Sequence, residues 1–421
     1  FTTKISRIYA GCSVLQTPIT YIKRKDLIFM NKKIPFSPPD ITQDEIDALS
    51  EVLKSGWITS GPKTAEFEEK LALYCNANYS AAVSSATCGM ELLLKVFNIK
   101  SGDDVITTPY TYTSTAAVSI QRGIKPIMVD VKKDDFSIDI DKIYDAITEN
   151  TKAIFSVDFA GVPVNYNALK EVIKLKNRED ILLVSDSAHA LGASYKGKKV
   201  GSQLDAHVFS FHAVKNLTTA EGGAITFNNN NLLGKENLLK DLKLNSLNGQ
   251  SKDALSKMKA GAWKYDIVTA GYKCNMADIN AALGLVQLRR YSDMLRRRKN
   301  IFEIYSSILS QKEWAIIPFK EDEDMETSYH LYPLRIKGLK EEQRNEVIKT
   351  LAEKNIAVNV HFIPLPMFTL YKSLGYSIED YPNAYEQYKN EITLPLYSTL
   401  LPEDAEYVAK ELIKVVEKVN K

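Results

Sequence analysis

The chain has 421 residues, 45% of them apolar, enough to bury a large core and to build two domains. Its 54 basic and 52 acidic side chains leave a formal charge of +2, which gives no reason to expect nucleic acid or an anionic membrane as partner. Four cysteines (Cys12, Cys75, Cys88, Cys274) without CxxC spacing and five scattered histidines predict a metal-free protein of the reducing cytoplasm, and no apolar run is long enough to span a bilayer.

Residues 1–29 show no consistent periodicity, end in the basic cluster Lys23-Arg24-Lys25 and lack the apolar core of a signal peptide. They are expected to be an extension outside the fold, with Met30 as the natural start. An amphipathic helix is expected over 44–54, followed by a turn region over 56–61. Next, Ala81-Ala82-Val83 runs into Ser84-Ser85-Ala86-Thr87-Cys88, a strand whose small hydroxylated end opens a helix. Free N–H groups at a helix start, with hydroxyls beside them, suit a phosphate, although the same pattern is also a plain helix cap. Val105-Ile106-Thr107-Thr108 is a further strand, and its loop carries Tyr110 and Tyr112, rings that stack on a flat heterocycle or simply pack.

Leu182-Leu183-Val184-Ser185-Asp186 reads as a parallel strand that delivers an acid at its carboxyl end, the edge where open α/β sheets bind ligands. A carboxylate there either keeps a pyridine-type nitrogen protonated or caps a helix. In Phe209-Ser210-Phe211-His212-Ala213-Val214-Lys215 the lysine is expected to close a short apolar strand, before a turn and the strand entry Gly222-Gly223, which places its amine inside a domain rather than in water. Desolvation lowers the pKa of an ammonium, and the neutral amine attacks an aldehyde. Strands and helices alternate to about residue 227, as in a mainly parallel sheet covered on both faces. Helical spacing over 277–309 marks a helix between two domains. Strands at 330–336 and 357–362, with helices at 341–354 and 402–419, form a smaller α+β domain. The expected division is 30–290 and 291–421.

The order of these segments resembles the aspartate-aminotransferase superfold, fold-type I of the enzymes dependent on pyridoxal 5′-phosphate. Within it, Ser55-Gly56-Trp57-Ile58-Thr59-Ser60-Gly61-Pro62-Lys63, Asp186-Ser187-Ala188-His189-Ala190, Ser210-Phe211-His212-Ala213-Val214-Lys215-Asn216 and Gly271-Tyr272-Lys273-Cys274-Asn275-Met276-Ala277-Asp278-Ile279 resemble the DegT/DnrJ/EryC1/StrS family of sugar aminotransferases. The likeness runs from about residue 34 to 416 and is nearest to the branch that aminates C4 of UDP-linked 4-keto sugars.

The resemblance implies that Lys215 carries the cofactor as a Schiff base and moves the proton during transfer, and that Asp186 pairs with the pyridine nitrogen. Tyr112 is implied to stack on the ring beside His189, and Thr87, Cys88 and Ser210 to hold the phosphate. Family members are homodimers with a shared active site, so Lys273 or Asn275, in the segment 263–275, is expected to reach the phosphate of the partner chain. His361 is expected near the sugar, with a core histidine as the alternative. The implied substrates are glutamate and a nucleotide-linked keto sugar, for glycan precursor biosynthesis. Amination of a dTDP-linked or 3-keto sugar and a non-catalytic regulatory role are the other readings. Sugar deoxygenation is disfavoured, because relatives that catalyse it have histidine in place of Lys215.

Overall fold

The computed structural model describes residues 32–252 and 263–420. The described residues from Ile34 onward form one compact unit. The extension expected over 1–29 lies outside the described residues.

Helices α1 (Gln43–Ser55) and α2 (Pro62–Tyr74) precede strand β1 (Tyr79–Val83). There follow α3 (Ala86–Val96), β2 (Asp104–Thr107), α4 (Ser114–Gln121), β3 (Pro126–Met128), α5 (Ile140–Ala146) and β4 (Thr151–Val157). Then come α6 (Tyr166–Leu175), β5 (Leu182–Asp186), the short strands β6 (Ser194–Tyr195) and β7 (Lys198–Lys199), β8 (Ala206–Ser210) and β9 (Gly223–Phe227).

Seven of these strands form one sheet in the order β1-β9-β8-β5-β4-β2-β3. The pairs from β8 through β5, β4 and β2 to β3 are parallel, whereas β9 runs antiparallel to both β8 and β1. Six strands therefore point one way, and β9 alone is reversed. Every residue of β5 and β9 is buried, as expected for strands covered on both faces. One side holds Phe67, Phe209, Phe211 and Tyr291, and the other Met90, Leu93, Phe155 and Phe227. Each fully buried ring of this size contributes roughly 1.5–3 kcal/mol.

After α7 (Leu238–Ser246), the 32-residue helix α8 (Asp278–Leu309) rises about 48 Å. The division expected at 290/291 falls inside this unbroken helix. Tyr291 packs into the core of the large sheet, while Ile301, Phe302 and Tyr305 belong to a second core. That second core is closed by β12 (Tyr332–Ile336), α9 (Glu341–Glu353), β13 (Glu391–Leu394) and α12 (Pro402–Val419). The edge strand β10 (Ala315–Ile316) completes an antiparallel sheet β10-β12-β13, and β11 (Met325–Glu326) joins β6 and β7 in a third sheet. Two short helices, α10 (Thr369–Ser373) and α11 (Pro382–Tyr388), lie between α9 and β13.

One expectation fails here. Residues 357–362 form no strand; a single bridge joins Asn359 to Thr393. The reason is local competition for N–H groups. Val360 N–H bonds to the Asn359 side chain at 2.8 Å and His361 N–H to the Glu391 carboxylate at 3.0 Å, leaving neither for a ladder. Among the described residues, no helix is long and apolar enough to cross a membrane.

Candidate active site

Because β1, β2, β5 and β8 run parallel, the loops that follow them open at one edge of the sheet. The reversed β9 starts at that edge too. A cavity of about 680 Å³ lies there, lined among others by Thr87, Tyr112, Asp186, His189, Ser210, Lys215 and His361. Three further residues singled out from the sequence, Cys88, Lys273 and Asn275, are not in its lining.

Asp186 ends β5 and is 5% exposed. Its Oδ2 accepts the Thr115 hydroxyl at 2.7 Å and its Oδ1 the N–H of Ala188 at 3.2 Å. Burial still holds this carboxyl above the usual range, opposed by those hydrogen bonds and by the ammonium of Lys215. The site therefore favours a cation beside Asp186. Lys215 does not close β8, which stops at Ser210; it sits in the following turn, its N–H bonded to the carbonyl of His212 at 2.9 Å. Burial lowers its pKa to about 8, against the pull of Asp186. About a tenth of this amine is thus neutral at pH 7, against less than about a thousandth for a lysine at its ordinary value.

At the other end, the Ser85 side chain caps α3 by accepting the N–H of Cys88 at 3.1 Å. That N–H is spent on the cap. The N–H groups of Ala86 and Thr87 have no acceptor among the described residues and stand at the positive end of the helix. Gly223 makes this approach possible, since a Cβ there would lie 2.5 Å from the Ala86 nitrogen. Ala86, Thr87 and Ser210 all line the cavity. Tyr112 lies on the loop between β2 and α4 and is 62% exposed.

His189 is buried and accepts the N–H of Ala160 at its Nδ1 at 3.2 Å, so its proton is on Nε2. Burial, then the charge on Lys215, holds the ring neutral with a pKa well below the usual value. Lys273 donates to Asn275 at 2.5 Å, and Asn275 donates to the Ser60 hydroxyl at 2.5 Å.

Several participants were missed from sequence. His330 lies 4.3 Å from His189, ring to ring, and its Nδ1 meets Asn216 Oδ1 at 2.7 Å. Asn216 also donates to the Ser328 carbonyl at 2.8 Å, which ties the Lys215 turn to a segment more than a hundred residues away. Buried Arg298 on α8 donates to the carbonyls of His330 at 3.4 Å and Leu396 at 2.9 Å. Thr115 and Phe362, which stacks on His189 at 5.9 Å, complete the set. None of these has a local signal, because each contact joins distant stretches of chain; only the adjacency of Asn216 to Lys215 hinted at one of them.

The donor set fits pyridoxal 5′-phosphate. Free N–H groups and hydroxyls suit its phosphate, Asp186 its pyridine nitrogen and Lys215 its aldehyde.

Comparison with known proteins agrees. The DegT/DnrJ/EryC1/StrS aminotransferase family matches residues 39–413. The chain is 37% identical to the spore coat polysaccharide biosynthesis protein SpsC of Bacillus subtilis, over 92% of this chain and 98% of the relative. The putative sugar aminotransferase Spr1654 from Streptococcus pneumoniae, solved in its PMP form, superposes with a TM-score of 0.88 and is 46% identical, covering 92% of this chain and all of that one. PseC of Helicobacter pylori, an aminotransferase involved in the biosynthesis of pseudoaminic acid, has a TM-score of 0.83 and 29% identity over 92% of this chain and all of its own. The chain therefore belongs to the DegT/DnrJ/EryC1/StrS aminotransferase family, whose enzymes work with pyridoxal 5′-phosphate.

Proposed function

We propose that this enzyme transfers an amino group from glutamate to C4 of a nucleotide-linked 4-keto sugar, with UDP the favoured nucleotide, for synthesis of a cell-surface glycan precursor in the cytoplasm. The observation that carries the proposal is the convergence of Lys215 and Asp186 on one cavity wide enough for a sugar beside the cofactor.

Bound there, pyridoxal 5′-phosphate supplies an electron sink and a carrier for the amino group. The protein supplies position and proton transfer. Thr87 and Ser210 hydroxyls, with the first N–H groups of α3, hold the phosphate. Asp186 keeps the pyridine nitrogen protonated, and the hydrogen bond from Thr115 fixes the orientation of its carboxylate. Tyr112 and His189 both line the cavity, where Tyr112 would pack against the cofactor ring and His189 would offer its Nε2–H. Lys215 Nζ would carry a proton from the substrate carbon that bears the nitrogen to the carbon on the far side of that nitrogen, two atoms along, and would do the reverse for the second substrate. One base therefore serves both halves of the exchange. His361 meets the sugar nucleotide at the cavity wall. Lys273 and Asn275 serve the phosphate of a second copy of the chain in a homodimer, which accounts for their place outside the cavity of their own chain.

The test is incubation of purified enzyme with glutamate and a panel of UDP- and dTDP-linked 3-keto and 4-keto sugars, with mass spectrometry of the products. Turnover of dTDP-3-keto sugars alone would overturn the assignment to UDP-4-keto sugars.

A further inference from the structure

Behind His361 lies a buried chain of hydrogen bonds for which the reaction above has no use. Glu391 and Thr393 are two residues apart on β13, so their side chains share one face of the strand. Asn359 and Thr393 exchange both backbone hydrogen bonds, at 3.1 and 2.8 Å, which sets His361 opposite Glu391. Glu391 is fully buried. Its Oε2 accepts the N–H of His361 at 3.0 Å, and its Oε1 accepts the Thr393 hydroxyl at 2.5 Å. The same hydroxyl lies 2.9 Å from His361 Nδ1. Tyr110 donates to the His361 carbonyl at 3.0 Å, so the backbone of this residue is held on both sides.

A hydroxyl donates one proton, and this limits the chain to two arrangements. With Glu391 ionised, Thr393 donates to Oε1 and accepts from His361 Nδ1–H, leaving Nε2 bare. With Glu391 protonated, the new proton sits on Oε1, since Oε2 is taken by an N–H. Oε1–H then donates to the threonine oxygen, the hydroxyl donates to Nδ1, and the imidazole proton moves to Nε2 by exchange through the cavity. We propose that Glu391, acting through Thr393, sets whether His361 presents an acceptor or a donor to the sugar nucleotide. Bare Nε2 accepts from a sugar hydroxyl; Nε2–H donates to a carbonyl or diphosphate oxygen.

The inference rests on the proposed contact between His361 and the sugar nucleotide. Both states lie within reach near neutrality, because burial raises the Glu391 pKa to about 8, opposed by Thr393, the His361 N–H and Arg344. The imidazole itself stays neutral, its pKa pushed down to about 3 by burial and by Lys215. The other groups facing this chain are Arg344 on α9, which donates to the Glu391 carbonyl at 3.1 Å, Arg335 opposite Glu391 on β12, and the Tyr110 phenol. On the cavity side, His361 faces Lys215 and the neutral rings of His189 and His330. Glu391 and Thr393 are thus positioning residues.

Solid-state 15N NMR of the full-length, histidine-labelled protein reads the tautomer directly, with the His361 signals assigned by their loss in His361→Gln. Wild type should pass from the Nε2–H to the Nδ1–H form as pH rises, with a midpoint near 8. Glu391→Gln, whose amide donates to Thr393 permanently, should show Nε2–H at every pH. Thr393→Val should abolish the transition, and Thr393→Ser should keep it. A wild-type proton that stays on one nitrogen throughout, or an unchanged transition in Glu391→Gln, overturns the inference. The KM for the keto sugar tests the other reading separately. A tautomer transition with a KM that His361→Gln leaves unchanged would refute the substrate contact while leaving the relay in place.

Discussion

Asp186 and Lys215 meet across neighbouring parallel strands: Asp186 pairs in register with Val208 on β8, and the turn that follows β8 brings the Lys215 amine into the field of the carboxylate. Each holds the other in the charged form against burial. That coupling leads to the first prediction. Reaction of the amine with the cofactor aldehyde needs neutral Nζ, so the rate of cofactor capture by the free protein should rise with pH, with a midpoint of about 8. Removing the carboxylate with Asp186→Asn should lower that midpoint, since the attraction that raises the lysine pKa is gone. Stability follows the same sign. Below about 8 the amine is charged in folded and unfolded chains alike and the full cost of burial applies. Between about 8 and the ordinary value of 10.5, only the unfolded chain still binds the proton, so the contribution of this group to stability rises with pH. Stopped-flow absorbance and denaturant titrations across that window check both statements.

Borohydride reduction of the cofactor-bound protein should fix the cofactor mass on Lys215 and on no other lysine, as read by peptide mapping. Lys215→Ala should lose turnover altogether, because base and attachment point are the same atom. In Asp186→Asn the shape is kept and the charge is lost, and kcat should fall by about a hundredfold. Near-normal turnover of that variant would make the carboxylate a structural group.

Much of this site was legible in the chain because its main parts are local. A strand ending in an acid, a strand running toward a lysine and a hydroxyl-rich helix start each declare themselves within a dozen residues, and parallel topology then places them at one edge; that the lysine sits in the turn after β8 rather than closing the strand was not legible. The supporting residues were not legible. His330 reads as the first residue of the strand expected at 330–336, which begins at Tyr332, and its bond to Asn216 spans 114 residues. Glu391 was not singled out, and its burial against His361 depends on a bridge between Asn359 and Thr393 that no periodicity records. The expected strand at 357–362 failed partly for the same reason: the His361 N–H is taken by Glu391, thirty residues on, while the Val360 N–H is taken by the neighbouring Asn359 side chain.

Asn216 should matter for both stability and activity. Its side chain bonds His330 and Ser328 and so anchors the turn that carries Lys215. Asn216→Ala removes both bonds and leaves a buried carbonyl and an imidazole N–H unpaired, at a cost of about 1–3 kcal/mol. Urea unfolding should show that loss. The variant should still capture the cofactor on Lys215, but with a lower kcat, because the amine is no longer held in place.

The last prediction concerns the shared site. Lys273 and Asn275 lie outside the cavity of their own chain and bond to each other and to Ser60, at the end of a stretch that exposes Trp263, Ile267 and Val268. If they serve the phosphate site of a second copy, Asn275→Ala should weaken cofactor binding while its own Lys215 remains intact. Lys215→Ala should fail for the opposite reason. Mixing the two variants under conditions that allow subunit exchange, at a cofactor concentration too low to load Asn275→Ala alone, should then restore about a quarter of wild-type activity. Random pairing makes half the dimers mixed, and each mixed dimer has one complete site. No recovery in a mixture shown by native mass spectrometry to contain mixed dimers would place Asn275 in the service of its own chain alone.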